Sequence, residues 1–161
     1  VDRMWESGMR ISCVFAGLCL ALAVIIGGLP VAEAADEPEN IIKYRRNVMK
    51  AVGANMGNLA MVAKGNFSFA GNLVANARAI RSGLGMAAPL FPEGTETGET
   101  NALPKLWQDE AGFEAALRHS IAAADAMIAA AETADMPTII GALQALGKTC
   151  GSCHKPYRKK L

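Results

Sequence analysis

Near the end of the chain two cysteines and a histidine stand together as Cys150-Gly151-Ser152-Cys153-His154, followed by Lys155-Pro156-Tyr157-Arg158. Two thiols separated by two residues, with an imidazole directly after, is the spacing for covalent attachment of a c-type haem. The chemistry accounts for the spacing. Each S–H adds across one vinyl group of a single porphyrin, and the next residue then lies under the iron, where its imidazole nitrogen serves as an axial ligand. Other uses of these residues fit less well. A zinc site needs a second pair of ligands at similar spacing, and His119 is the only other imidazole. A thioredoxin-like pair opens a helix in a strand–helix–strand setting, whereas this one closes an apolar helical pattern.

The first 34 residues read as an export signal. Ile11 to Leu29 carries no charge, Arg10 precedes it, and Gly27-Gly28-Leu29-Pro30 breaks any helix. Val31-Ala32-Glu33-Ala34 then offers a small-x-small site for cleavage after Ala34. The competing reading is a retained membrane anchor, because the run is close to the ~18 apolar residues of a spanning helix. Val1 to Gly8 fit neither region, and Met9 makes a better start. Cys13 and Cys19 leave with the signal, so Cys150 and Cys153 are the thiols that matter, in an oxidising compartment such as a periplasm. From Asp36 onward there are 14 basic and 12 acidic residues, a formal charge of +2. That balance points away from nucleic acid and from acidic membrane surfaces.

The length of 161 residues suits one domain, and the chain after the signal reads as helices throughout. The first is expected over residues 39–64, with Ile41, Val48, Val52, Leu59 and Val62 as its apolar stripe and Ile42, Met49 and Met56 one position round. Gly65-Asn66 ends it. A second is expected from Ser68 as N-cap through Leu73, Ala77 and Ile80, stopped by Gly83 and Gly85. Residues 86–105, with Pro89, Pro92, Gly94, Gly98 and Pro104, read as one long irregular stretch, functional or disordered. A third helix begins near Trp107 or Asp109, with Phe113, Leu117, Ile121, Ala124, Ile128 and Ala131 facing inward. Asp135 caps a fourth, Pro137 lies in its first turn, and its stripe is Ile139, Leu143, Leu146, Cys150, Cys153 and Tyr157.

No strand alternation is present, and the short connections make joined helices antiparallel. The fold expected is all-α: an up-down-up-down four-helix bundle with covalently bound haem c. On the last helix Cys150 and His154, and likewise Cys153 and Tyr157, are four residues apart and project to one side. The haem is therefore expected between helices, against the bundle.

Residues 39–160 resemble the cytochrome c′ and c556 family, itself a standard instance of that bundle architecture. The matching pieces are Lys43-Tyr44-Arg45 with Met49-Lys50, Phe91-Pro92-Glu93-Gly94-Thr95 with Gly98, Trp107, and the CxxCHxxYR run from Cys150 to Arg158. The resemblance implies a periplasmic, non-enzymatic haem c protein with one haem per chain, often a homodimer through its first two helices, serving redox partner proteins. It implies thioethers at Cys150 and Cys153 and His154 as the proximal iron ligand. Arg45 and Arg46 match positions near the haem propionates, Glu99 and Thr100 the loop along the haem edge, and Arg158 a basic residue beside the proximal histidine.

The sixth ligand divides the family. In one class the iron is five-coordinate behind an apolar side chain and binds a diatomic gas such as nitric oxide. In the other, a methionine of the first helix ligates it and the protein is a low-spin electron carrier. Met49 occupies the candidate position. A thioether there binds iron and raises its potential, or simply covers the site as a flexible apolar group; both remain open from the sequence. His119 lacks an obvious acidic partner and reads as a surface or half-buried side chain.

Overall fold

The computed structural model describes residues 36–160 apart from Phe67, so the export signal expected over residues 1–34 lies outside the described residues. Four long helices carry the fold: α1 (Pro38–Ala63), α2 (Leu73–Ala87), α4 (Glu110–Glu132) and α5 (Met136–Tyr157), with a one-turn α3 (Lys105–Gln108) before α4. α1 packs on α2, α2 on α4, and α4 on α5, whereas α1 and α5 meet only sparsely. The result is the antiparallel four-helix bundle, with one seam left loose.

Local chemistry sets the helix ends. Gly65 at φ +72° closes α1; its N–H donates to Val62 O and that of Asn66 to Met61 O, the paired bonds of a Schellman cap. Asp109 caps α4 by accepting from Gly112 N at 3.2 Å, and Asp135 caps α5 by accepting from Thr138 N at 3.0 Å. Among the described residues, no helix is long and apolar enough to cross a membrane.

Several expectations need correction. Ser68 does not cap α2; a 3₁₀ turn, Ala70–Asn72, intervenes and α2 starts at Leu73. Gly83 and Gly85 do not stop it either, and the helix runs to Ala87 before a 3₁₀ turn over Ala88–Leu90. The reason is packing. Gly83 is buried against α1, and a Cβ there would lie 2.5 Å from Val52 Cγ2. Glycine at this position serves close helix approach, at some cost in helix propensity. Gly83→Ala is expected to lower stability by about 1–2 kcal/mol through overpacking against the stiff valine. A thermal midpoint equal to or above that of the parent would contradict this.

The core is also rotated slightly from the expected stripes. On α1 Ile42 and Arg45 are buried while Ile41 is half-buried. On α4 Ser120, Met127 and Ala130 are buried, with Ile121 and Ile128 at the margin. The Ser120 hydroxyl is accommodated by donating to Ala116 O at 3.0 Å.

Candidate functional site

The loose seam between α1 and α5 opens into a cavity of about 600 Å³, within the ~300–1,000 Å³ range of cofactor pockets. α5 contributes Gly147, Cys150, Cys153, His154 and Tyr157, and Arg158 follows just beyond it. α1 contributes Arg45, Arg46, Met49, Lys50, Val52, Gly53 and Met56, and α2 adds Leu84 and Ala87. Phe91, Thr100 and Ala102 come from the loop, and Phe113, Leu117 and Ser120 from α4. Among the described residues, the walls are therefore mainly apolar, with two thiols and one imidazole on a single helix face.

That donor set fits a covalently held haem. Cys150 and Cys153 are free thiols, each half-buried. Burial is the main influence that pushes both thiols up from their ordinary range, so they stand as S–H groups. His154 is half-buried on the same wall. Burial first, and the Arg158 charge second, hold its pKa down, which favours the neutral imidazole a metal requires. Gly53 and Gly147 stand on opposite lips, and a Cβ on either would meet nothing within 4 Å. Packing within the chain does not demand these glycines, and both leave room beside the backbone at the edge of the cavity.

The end of α5 is braced from behind. Leu103 N donates to Tyr157 O at 2.9 Å, and Lys159 N donates to Asn101 O at 2.8 Å. The Tyr157 hydroxyl donates to Asp109 Oδ2 at 2.8 Å, and that bond, with the carboxylate charge, holds the phenol above its usual range. Tyr157 also packs edge-on to Phe113 at 5.7 Å, Phe113 to Phe91 at 5.0 Å, and Phe91 to Trp107 at 6.3 Å. Pro156 is accommodated in the last turn, which this bracing holds in place.

Arg45 ties the loop to α1. It is 3 % exposed, and its guanidinium donates to Leu90 O, Thr95 Oγ1, Thr95 O and Thr100 Oγ1 at 2.6–3.2 Å. It lies 4.9 Å from the Phe91 ring centre and 5.6 Å from that of Trp107. Burial lowers its pKa, opposed by the charge of Glu96. Four of its five N–H donors are matched within the chain.

The other expected site residues divide. Arg46, Met49, Thr100 and Arg158 line the cavity with the CxxCH residues. Glu99 stands outside it with a side chain 97 % exposed; it contributes a backbone carbonyl that accepts from Arg46 Nη1 at 2.9 Å. Met49 and Met56 share the cavity wall, and His119 is exposed on α4. Lys50, Gly53 and Gly147 were not anticipated, although their register carried a signal. Gly53 is four residues past Met49 and Gly147 three before Cys150, so helical periodicity turns both toward the haem face.

A family model described as Cytochrome C' matches residues 40–158. The chain belongs to the cytochrome c′ family. It is 36 % identical over 129 residues to a cytochrome c' of Rhodospirillum rubrum, covering 80 % of this chain and 87 % of that protein. It is 35 % identical over 120 residues to a cytochrome c-556 of Agrobacterium tumefaciens, covering 74 % and 97 %. Among solved structures it is similar to the nitric oxide complex of a cytochrome c prime variant from Alcaligenes xylosoxidans. That similarity has a TM-score of 0.72 and 28 % identity, and covers 78 % of this chain and 98 % of that one. Cytochrome c′ family members carry one covalently attached haem c per chain and act in gas binding or electron transfer.

Proposed function

We propose that this chain is a periplasmic haem c protein of cytochrome c′ type that binds a diatomic gas, with single-electron transfer as its second capacity. The observation that carries the reading is the convergence of Cys150, Cys153 and His154 on one apolar cavity. When bound, haem supplies a one-electron iron couple and a position for an exogenous ligand. Cys150 and Cys153 hold it by thioether bonds, and His154 presents a neutral imidazole to the iron. Met49, Val52, Met56 and Leu84, from α1 and α2, wall the cavity and restrict what enters by size. Arg46 and Arg158, at the rim, are placed to meet carboxylates. The nitric oxide complex solved for the Alcaligenes xylosoxidans relative supports a gas ligand here. The uncharged run from Ile11 to Leu29, with the small-x-small site that ends at Ala34, supports export.

One observation favours a second reading. Met49 is half-buried and lines the same cavity as His154, so a thioether ligand and a low-spin electron carrier are the alternative. Absorption spectra of the reduced protein separate the two. The proposal expects one broad high-spin Soret band, little changed in Met49→Ala. Sharp, split α and β bands that collapse in Met49→Ala would establish the electron carrier instead.

The proposal includes a homodimer through α1 and α2. Tyr44 and Met61 on α1 and Met86 on α2 are exposed at 54, 46 and 43 % and are available to such an interface, which rests on the family resemblance. Light scattering at micromolar concentration is expected to give twice the chain mass; a monomeric mass counts against it.

A further inference from the structure

A polar cluster joins the start of α4 to the end of α5, with Asp109 at its centre. The Asp109 N–H donates to Lys105 O and its carbonyl accepts from Phe113 N, both at 3.0 Å. Of its carboxylate oxygens, Oδ1 accepts from Gly112 N at 3.2 Å and Oδ2 from the Tyr157 hydroxyl at 2.8 Å. Every polar group of this residue is engaged, which fixes the joint between α3 and α4. Gly112 is matched to the same cluster. A Cβ there would stand 2.5 Å from the Tyr157 hydroxyl and 2.6 Å from each Asp109 carboxylate oxygen. No side chain fits at the third residue of α4 while phenol and carboxylate meet. Glycine is a poor residue in a helical turn, and here it makes room for that contact.

The contact bears on the turn that carries His154. Pro156 has no N–H, so Ser152 O lacks its helical partner there. The end of α5 is weakened at that point and depends on bonds from outside the helix. Two join its backbone to the loop, at Leu103 and Asn101. The Tyr157 hydroxyl adds a bond to the rigid joint at Asp109, and its ring, 7 % exposed, packs edge-on to Phe113. His154 lies three residues before Tyr157, one turn back on the same side of the helix, and both line the cavity. The His154 ring itself has no hydrogen-bond partner among the described residues. Its orientation therefore follows from where the helix end is held.

We propose that Tyr157, anchored by Asp109 over Gly112, is a positioning residue for His154 and sets the strength of the bond its imidazole makes to iron. This rests on the five-coordinate haem reading above. Groups that orient a metal-binding histidine usually bond to its ring. Here the orientation is fixed one turn away, through the helix that carries the ring. Without the anchor the last turn gains freedom and the imidazole tilts off the iron axis, which weakens the bond.

Resonance Raman spectra of the ferrous holoprotein test this, because the iron–histidine stretch reads that bond and not the stability of the bundle. Tyr157→Phe keeps the ring and removes the hydroxyl; its stretch is expected to fall in frequency and broaden. Gly112→Ala pushes a methyl group against the hydroxyl and is expected to move the stretch the same way. Combined with Tyr157→Phe it is expected to add little, as for two changes that break one contact. Thr133→Ala removes a 2.7 Å hydrogen bond to Ala130 O at the far end of α4. It is expected to lower the thermal midpoint and leave the stretch in place. Amide exchange at Arg158, whose N–H donates to His154 O at 3.0 Å, is expected to quicken about fivefold in Tyr157→Phe. A stretch unchanged in both Tyr157→Phe and Gly112→Ala, beside a normal haem spectrum, overturns the positioning role alone. An equal shift in Thr133→Ala makes the effect one of stability and also overturns it. A parent protein without haem, or low-spin and lacking this stretch, overturns the proposed function and this inference together. Should neither variant take up haem, exchange in the parent decides. Protection at Arg158 and Phe113 within about tenfold supports one cooperative unit, and a larger gap overturns it.

Discussion

Replacing both Cys150 and Cys153 by alanine is expected to abolish covalent haem and, with it, the cooperative fold. The first effect is chemical: no thiol remains to bond the porphyrin, so the intact mass of the denatured protein drops by one haem group beyond the change of side chains. The second is physical. A cavity of about 600 Å³ at ~24 cal/mol per Å³ represents about 14 kcal/mol if it stayed dry. That is comparable with the entire stability of ordinary domains, about 5–15 kcal/mol. The bundle without its cofactor therefore floods or collapses, and the double variant is expected to keep far-UV helical signal while losing near-UV signal and a sharp thermal transition. Haem that survives acid extraction in the double variant, or an unchanged cooperative transition, would contradict the assignment.

The Arg45→Leu variant is expected to lose about 3–5 kcal/mol, because a leucine leaves the Leu90 and Thr95 carbonyls and the Thr100 hydroxyl without their charged donor. At a urea slope of ~2 kcal/mol/M the unfolding midpoint then moves down by roughly 1.5 M or more. Arg45→Lys is expected to recover only part of this, since an ammonium on a flexible stem cannot reproduce the planar fork over Phe91 and Trp107. The loss also reaches the site. Asn101 and Leu103 of the loop that Arg45 secures hold the end of α5 at Lys159 and Tyr157, three residues past His154. A midpoint within 0.5 M of the parent, a bound set from that same slope, would mean that the four hydrogen bonds contribute little.

The bundle, and the grouping of Cys150, Cys153 and His154 on one face of the last helix, are legible in the sequence because the signals involved are local. CxxCH is a contiguous motif, the apolar stripes have helical period, and Asp135 with Pro137 marks a helix start at short range. What was not legible depends on contacts between distant segments. Gly83 reads as a breaker until Val52, 31 positions upstream, is seen against it. Arg45 falls on the buried seam of α1 by its register, but its role in fastening the loop shows only once Thr95 and Thr100, 50 and 55 residues away, are found accepting from it. On α4 the branched Ile121 and Ile128 suggest a stripe one step round from the buried Ser120 and Met127. Gly53 and Gly147 have a signal in register alone, and that signal acquires meaning only once the cavity between α1 and α5 is known.

Adding nitric oxide to the reduced protein tests the central claim most directly, because it asks at once whether a haem is present and whether the face opposite His154 admits a ligand. A broad high-spin Soret band is expected that moves and sharpens as the gas is added, and that does the same in Met49→Ala. A spectrum with narrow, split α and β bands that does not respond to the gas until Met49 is replaced would contradict it.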